Sequence, residues 1–235
     1  AQYARYEVSG PRAAAWLDGL VAGRLPAIGR IRLAPMLSDS GHLMGDLSVA
    51  RQVDGRFVLT GSYHLQDWHL RWFRAHLPRS GVRLRNRTDE LMGFAISGPA
   101  SRDLLAELAA GDAATAASGI GFLGIRPMQI AGTRAQVGRI SLTGELGYEI
   151  VVPANRHLAL HDALLEQGRR HGLRIIGDLA FDSLRLEKGY GIWSAEFRHH
   201  VTPVACGLDL FVAPDKGAFI GREAFLRDAE AEPDR

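Results

Sequence analysis

Tyr6-Glu-Val-Ser-Gly-Pro-Arg-Ala-Ala-Ala-Trp-Leu-Asp-Gly-Leu20 returns without a gap as Phe94-Ala-Ile-Ser-Gly-Pro-Ala-Ser-Arg-Asp-Leu-Leu-Ala-Glu-Leu108. The copies share Ser-Gly-Pro and their apolar positions, which marks an internal repeat. Each reads as a short strand, a bend at Ser-Gly-Pro, and a helix whose first turn takes the Pro, because a missing N–H there would have no partner anyway. The competing reading, a nucleotide-binding bend, leaves the Pro position unexplained. Two related strand-to-helix units predict an α+β fold of two related lobes, each an antiparallel sheet with packed helices.

Working outward, Arg32 to Leu37, Leu47 to Val53 and Phe57 to Thr60 have strand character, joined by Asp39-Ser-Gly41 and by Asp54-Gly55. Asp-Gly between alternating runs is a hairpin signal. Gln66 to Leu77 reads as an amphipathic helix with Leu70, Phe73 and Leu77 on one stripe, which assigns Trp68 and Trp72 to packing. In the later half, a helix runs from His157 to Arg170 and closes at Gly172; another covers Leu179 to Lys188, with Asp178 as N-cap and Gly189 just past its end. Gly207 to Val212 reads as a strand, and Phe219 to Phe225 as a short helical turn. Residues 1–228 are expected to form one functional domain of two interleaved lobes, and 229–235 a linker or fragment end.

A chain of 235 residues with 46% hydrophobic composition can bury a substantial core. Lys and Arg exceed Asp and Glu by two (28 − 26), so the charge balance does not call for nucleic acid, although mild basicity suits an anionic ligand tail. Cys206 is alone, which excludes an intrachain disulfide and fits a reducing compartment, cytoplasm or organelle matrix. No run approaches the roughly 18 apolar residues of a membrane span. The chain opens on Ala1 rather than Met, and it reads as part of a longer protein.

The stretch Arg139-Ile-Ser-Leu-Thr-Gly-Glu-Leu-Gly-Tyr-Glu-Ile-Val151 sets two carboxylates and a Tyr around glycines inside strand-forming sequence. Gly is costly in a strand unless the backbone must bend or approach something closely. Glu149 opens an apolar run and needs a donor if buried; a heterocycle offering two adjacent N–H groups would supply one, and an ion pair with Arg139 is the structural alternative. Arg185, in Leu-Arg-Leu-Glu-Lys, has a half-buried stem and needs an acceptor, for which Asp182 is the structural choice. Asp46 ends the turn Gly41-His-Leu-Met-Gly-Asp46 and reads equally well as a cleft carboxylate or as a turn residue bonding its own backbone.

Other candidates carry less. Gly119-Ile-Gly-Phe-Leu-Gly124 matches the dinucleotide fingerprint as a string but lacks the strand before it and the helix after it. His157 and His161 are spaced for one helix face without a third metal ligand, so no metal is assigned. His199-His200 reads as loop polarity, and Cys206 as a packed thiol.

Taken in order, Tyr6 to Leu20, Pro35-Met-Leu37, Asp46-Leu-Ser-Val49, Leu59-Thr-Gly-Ser62, Asp67 to Trp72, Arg139 to Glu149, Leu184-Arg-Leu-Glu-Lys-Gly-Tyr190, Thr202-Pro203 and Phe219 to Ala224 resemble the glycine-cleavage T-protein family. The resemblance is closer to the folate-binding portion of dimethylglycine and sarcosine dehydrogenases. It implies a T-protein-like fold without the C-terminal barrel-like domain, tetrahydrofolate as cofactor, and transfer of a one-carbon unit from a methylated amine. FAD would belong to a separate oxidoreductase domain or subunit. By the same resemblance Asp46 is the carboxylate beside the reacting nitrogens, Glu149 holds the pterin edge, Arg185 lines the same cavity, and Tyr148, Tyr190 and Trp193 contact the cofactor. Two departures stand out: Leu142 where the family has Tyr, and Gly45 where the T-protein commonly has a second Asp. They motivate one rival, a folate-binding or channel-forming module that has lost catalysis; a second enzyme reading is a folate-dependent demethylase for another methylated substrate.

Overall fold

The computed structural model describes residues 3–109, 119–193 and 195–231. The chain divides into two compact units, one built from residues 1–88 and 191–235 and the other from residues 89–190.

The first unit is organised on a five-stranded antiparallel sheet with strand order β2-β3-β4-β1-β5, formed by β1 (Tyr3–Ser9), β2 (Arg30–Leu37), β3 (Leu43–Val53), β4 (Arg56–Ser62) and β5 (Arg83–Asn86). Strand period two puts Tyr6, Val8, Leu47, Val49, Phe57 and Leu59 on one face, where they pack with Leu17 and Leu20 of α1 (Ala13–Leu20) and with Leu70 and Phe73 of α2 (Gln66–Ala75). These side chains are 7% exposed or less. Burying each contributes about 1.5–3 kcal/mol before entropy is counted. Residues 191–235 add α6 (Pro203–Cys206), α7 (Arg222–Glu230) and a second apolar cluster around Leu43, Leu65, Trp193, Phe197 and Phe219.

The second unit holds a four-stranded antiparallel sheet of order β6-β9-β8-β7, formed by β6 (Leu91–Ser97), β7 (Ile125–Ile130), β8 (Thr133–Gly138) and β9 (Gly147–Pro153). One face packs Ile96, Val137, Tyr148, Ile150 and Val152 against Leu104, Leu105 and Leu108 of α3 (Ser101–Leu108) and Leu160 and Leu164 of α4 (His157–Gly168). The last helix of this unit is α5 (Asp178–Lys188).

The repeat is structural in both copies. Gly10 and Gly98 make the bends at φ +125° and +119°, values that side chains rarely adopt. Each bend secures a turn of its own sheet: Gly10 N–H donates to the Gly55 carbonyl, and Gly98 N–H to the Leu146 carbonyl. The prolines precede their helices, which begin at Ala13 and Ser101, so Pro11 and Pro99 serve the turn and not the first helical position. Residues 207–212 form no strand; Asp209–Phe211 is a 3₁₀ turn after Gly207. Gly177, in extended backbone, caps α5, and Asp178 is its first residue. The His157 helix ends in a 3₁₀ turn closed by left-handed Gly172, as its Gly signal implied.

Candidate functional site

In the first unit, Asp46 points away from the α1/α2 core. Cross-strand partners share a face, so the pairs Pro35/Asp46, Leu33/Ser48, Ser48/Thr60, Arg5/Thr60 and Glu7/Val58 place Asp46 on a polar second face with Ser48, Thr60, Arg5 and Glu7. Two carboxylates on that face are treated in opposite ways. Burial would raise the Glu7 pKa, but Arg56, donating at 2.7 Å, outweighs it together with Arg87 at 3.1 Å and the nearby Arg85, and holds the carboxyl below its usual range. Asp46 is half-buried, and its Oδ1 is sealed from water without a hydrogen-bond partner. Desolvation pushes its pKa up to about 7, only partly opposed by its own backbone N–H. An Asp that exchanges its proton near neutrality fits general acid–base work, while the bond to its own backbone N–H is the feature the turn reading expects.

Trp193 is 8% exposed and packs with Leu43, Phe197 and Phe219, while the exposed His199 ring lies 5.0 Å from it and 4.2 Å from Trp68. Trp193 thus presents little surface in this structure. Cys206 is half-buried, donates weakly to the Pro203 carbonyl, and has its pKa raised chiefly by burial, which makes it a packing thiol. A concavity lined by Asp39 and Gly217–Glu223 belongs to the same unit but contains none of the candidate side chains.

In the second unit, Glu149 lies on the sheet face opposite the core. Its direct cross-strand neighbours are Ala95 and Gly138; Ser97 pairs with Gly147, and Gly93 with Val151. Gln136 and Val151 rise from the same face two positions along β8 and β9, but the residues directly opposite the carboxylate are small, as are Ser97 and Gly147 beside them, which leaves a low floor on that side. Beside it a hydroxyl rail runs from Ser97 Oγ to Ser141 Oγ, 3.3 Å, and on to Thr143 Oγ1, 3.0 Å. The turn carrying this rail is secured by the Leu146 carbonyl, which accepts from Gly98 N–H and Ser101 Oγ. It also rests on α5: a Cβ placed on Gly144 would lie 2.4 Å from Lys188 Cδ.

Arg185 is the one fully buried residue of α5, at 2% exposure, deeper than a half-buried stem. Its Nε donates to Asp182 at 2.6 Å, the structural pairing, and its Nη1 to the Tyr190 carbonyl at 2.9 Å. The guanidinium thereby ties the α5 C-terminus to the chain after it and presents Tyr190, 38% exposed. Tyr148 corrects the expectation of a cofactor contact. Period two turns it to the face opposite Glu149, where its ring has no exposed surface and its hydroxyl accepts from Arg102.

His157 stacks on Phe94 at 4.3 Å and His161 pairs with Asp162. Among the described residues no three His, Cys, Asp or Glu side chains are grouped to hold a metal, and no helix is long and apolar enough to cross a membrane. Arg139 donates to the Ile120 carbonyl. The Gly119–Gly124 stretch makes turns and leads into β7, not into a helix. Two features escaped sequence reasoning. The low floor was written in Gly93, Ala95, Gly138 and Gly147, but becomes visible only once the strands are paired. His69 gave no signal at all, since its place beside Leu70 and Phe73 reads as any residue on a buried helix stripe.

The model of the GCVT N-terminal domain family matches residues 1–216. Human mitochondrial dimethylglycine dehydrogenase is 33% identical over 227 residues, covering 94% of this chain and 26% of that protein. An aminomethyltransferase of Chlorobaculum tepidum is 32% identical over 222 residues, covering 93% of this chain and 60% of that protein. The crystal structure of the glycine cleavage system aminomethyltransferase T from Bartonella henselae superposes with a TM-score of 0.86 at 24% identity, covering 97% of this chain and 61% of that one. The chain therefore spans about a quarter of the first relative and about three fifths of the second. The fold match, and a family model that runs through both copies of the repeat and the Arg139–Val151 motif, lead to one assignment: this chain belongs to the GCVT N-terminal domain family.

Proposed function

We propose that this chain is a tetrahydrofolate-binding one-carbon transfer module of an enzyme related to dimethylglycine and sarcosine dehydrogenases. The observation that carries the reading is the sealed, unpartnered Oδ1 of Asp46 on a carboxyl poised near neutrality. A purely structural Asp on this face would be expected to resemble Glu7, paired and held ionised.

Each unit, taken by itself, offers one feature suited to a reduced folate. Glu149 stands at a low floor that suits a flat ring, and a carboxylate there accepts from two adjacent N–H donors of a pterin edge. Asp46 has a buried oxygen in want of a hydrogen bond, which a nitrogen-bound proton would supply. When bound, tetrahydrofolate supplies the amine nitrogens that accept the one-carbon unit. Glu149 orients, Arg185 and Tyr190 are second candidates in the same unit, and the hydroxyl rail offers further hydrogen bonds. Asp46 holds the proton in its neutral form and takes or returns it as the carbon–nitrogen bond forms, a role that requires a pKa close to the working pH. Trp193 packs into its own unit's apolar cluster. The one-carbon unit comes from a methylated amine oxidised by a flavin domain or subunit, and the compartment is cytoplasm or organelle matrix. The likeness to human mitochondrial dimethylglycine dehydrogenase supports a methylated-amine donor and the organelle matrix.

Calorimetric titration of the full-length protein with a stable reduced folate tests the proposal, with a pterin-free anion as control. Saturable binding that weakens in Glu149→Gln is the expected result. Absence of binding by the folded full-length protein overturns the reading.

A further inference from the structure

The register of β3 breaks two residues before Asp46. Gly45 pairs with Met36, but the next residue of β2, Leu37, pairs with Leu43, so Met44 is an extra residue, a β-bulge. Bulges re-aim side chains next to active sites, and they leave a backbone group outside the ladder that must be satisfied elsewhere. Here two consecutive residues of α2 meet two consecutive residues of β3. Trp68 Nε1 donates to the Met44 carbonyl at 3.1 Å. His69 lies against Gly45: a Cβ built there would be 2.6 Å from His69 Nε2, and one on Gly61 would be 2.9 Å from His69 Cε1.

The imidazole is itself immobilised. It has no exposed surface, its Nδ1 lies 3.1 Å from Tyr6 Oη, and its ring meets Tyr6 edge-on and stacks on Phe73. Hydrogen bonding assigns its tautomer. If Tyr6 donated to Nδ1, Nε2 would carry a buried N–H with no acceptor; with the proton on Nδ1, the orphaned atom is a lone pair, and Tyr6 is free to donate toward the Gln66 carbonyl at 3.5 Å. Buried acceptors without partners are tolerated better than buried donors. Glycine at 45 and 61 is thus the shape of the imidazole cut into two strands.

We propose that Trp68 and His69 are positioning residues that clamp the Met44 bulge and thereby set the direction in which Asp46 leaves β3 on the opposite face. The catalytic consequence rests on the role assigned to Asp46 above; the clamp itself does not.

The test uses Trp68→Phe, which keeps the ring and removes the N–H, and His69→Asn, which keeps a donor near Tyr6 and empties the space beside Gly45. The Asp46 carboxyl is followed by carbon-13 NMR titration in the full-length protein, and one-carbon transfer is measured in parallel. In each folded variant the Asp46 midpoint moves toward the ordinary carboxylate range by about one pH unit as the carboxyl gains access to water. The kcat falls about 10-fold or more while reduced-folate affinity stays within about twofold, since a small misplacement at a reacting group costs rate without costing binding. Unchanged midpoints in both variants overturn the clamp, as does a loss of folate affinity with the midpoint in place. If the wild type transfers no one-carbon unit, the functional reading falls, and the midpoints alone still decide the clamp. Should one variant fail to fold, the other carries the same test.

Discussion

The two sheets grow from one strand–bend–helix repeat and use their outer faces in opposite ways. The first sheet sets Asp46 on one face with Ser48, Thr60, Arg5 and Glu7 and seals one of its oxygens without a hydrogen-bond partner. The second sets Ala95 and Gly138 directly opposite Glu149, with Gly93 and Gly147 beside them. Burial without a partner tunes proton affinity; small neighbours make room for a ligand. The difference teaches that a carboxylate's role is read from its neighbours' sizes and partners, since both carboxylates sit at comparable places on antiparallel strands.

The comparison breaks first at Asp46. Asp46→Asn keeps the volume and removes the titrating group, so one-carbon transfer should fall about 10²–10⁴-fold with reduced-folate affinity nearly unchanged. Unchanged transfer would remove Asp46 from the chemistry.

The opposite face of the same strand supplies the next test, through pH. Burial depresses the His69 pKa from 6.5 to about 4, with the nearby His199 contributing. The unfolded chain then binds protons more readily between those values, so this contribution to stability is full above about pH 6.5 and is lost as pH falls through about 4. Asp46 acts in the reverse sense: its raised pKa contributes stability below the unfolded value of 3.8 that is lost as pH rises through about 7. His69→Gln should remove the acid-side loss, up to ~3 kcal/mol between pH 7 and pH 4. Denaturant unfolding of wild type and variant at both pH values measures it; parallel pH dependences would show that His69 does not titrate as described.

At the second sheet, Glu149→Gln should weaken reduced-folate binding by about 1–3 kcal/mol, roughly 5- to 150-fold. Ala95→Leu sharpens the same point, because Ala95 is exposed and a larger side chain there would occupy the floor. An affinity drop of about tenfold is expected. Full affinity in a folded Ala95→Leu protein would mean that the floor is not where the ligand lies.

The smallest effect is expected at Gly144, whose φ of +76° and contact with Lys188 hold the hydroxyl-bearing turn on α5. Lys188 can swing aside, so Gly144→Ala should cost only the left-handed backbone, about 1–2 kcal/mol in thermal unfolding.

Much of this architecture was legible in the chain. The Ser-Gly-Pro repeat located both strand-to-helix junctions, Asp54-Gly55 located a hairpin, and glycines at 172 and 189 located two helix ends, because each is a local steric requirement. Residues 207–212 misled because an apolar run after Gly suits a strand, a 3₁₀ turn or a loop equally until tertiary packing chooses. Tyr148 and Glu149 show a different limit. Adjacent strand residues face opposite ways, and only the pairing of β9 with β6 and β8 tells which faces the core. The Trp68–His69 clamp was out of reach, since it depends on a bulge in a strand more than twenty residues away along the chain.

The first unit is interrupted: its sheet is complete in sequence by Asn86, yet it takes back residues 191–235. The links are specific. Val201 O accepts from Leu43 N–H, Gly19 O from Ile220 N–H, and Lys216 reaches Asp18 across 198 positions. A ribosome therefore releases the whole of the second unit before the first can close. Residues 89–190 can find their sheet while the first sheet waits with one apolar flank uncovered, and that interval, not the finished molecule, is when the chain is most exposed to aggregation. Chains arrested shortly after residue 190 should protect β6–β9 from proteolysis while β2 and β3 remain cleavable, and protection of both sheets at that length would show that the returning segment is not needed for closure.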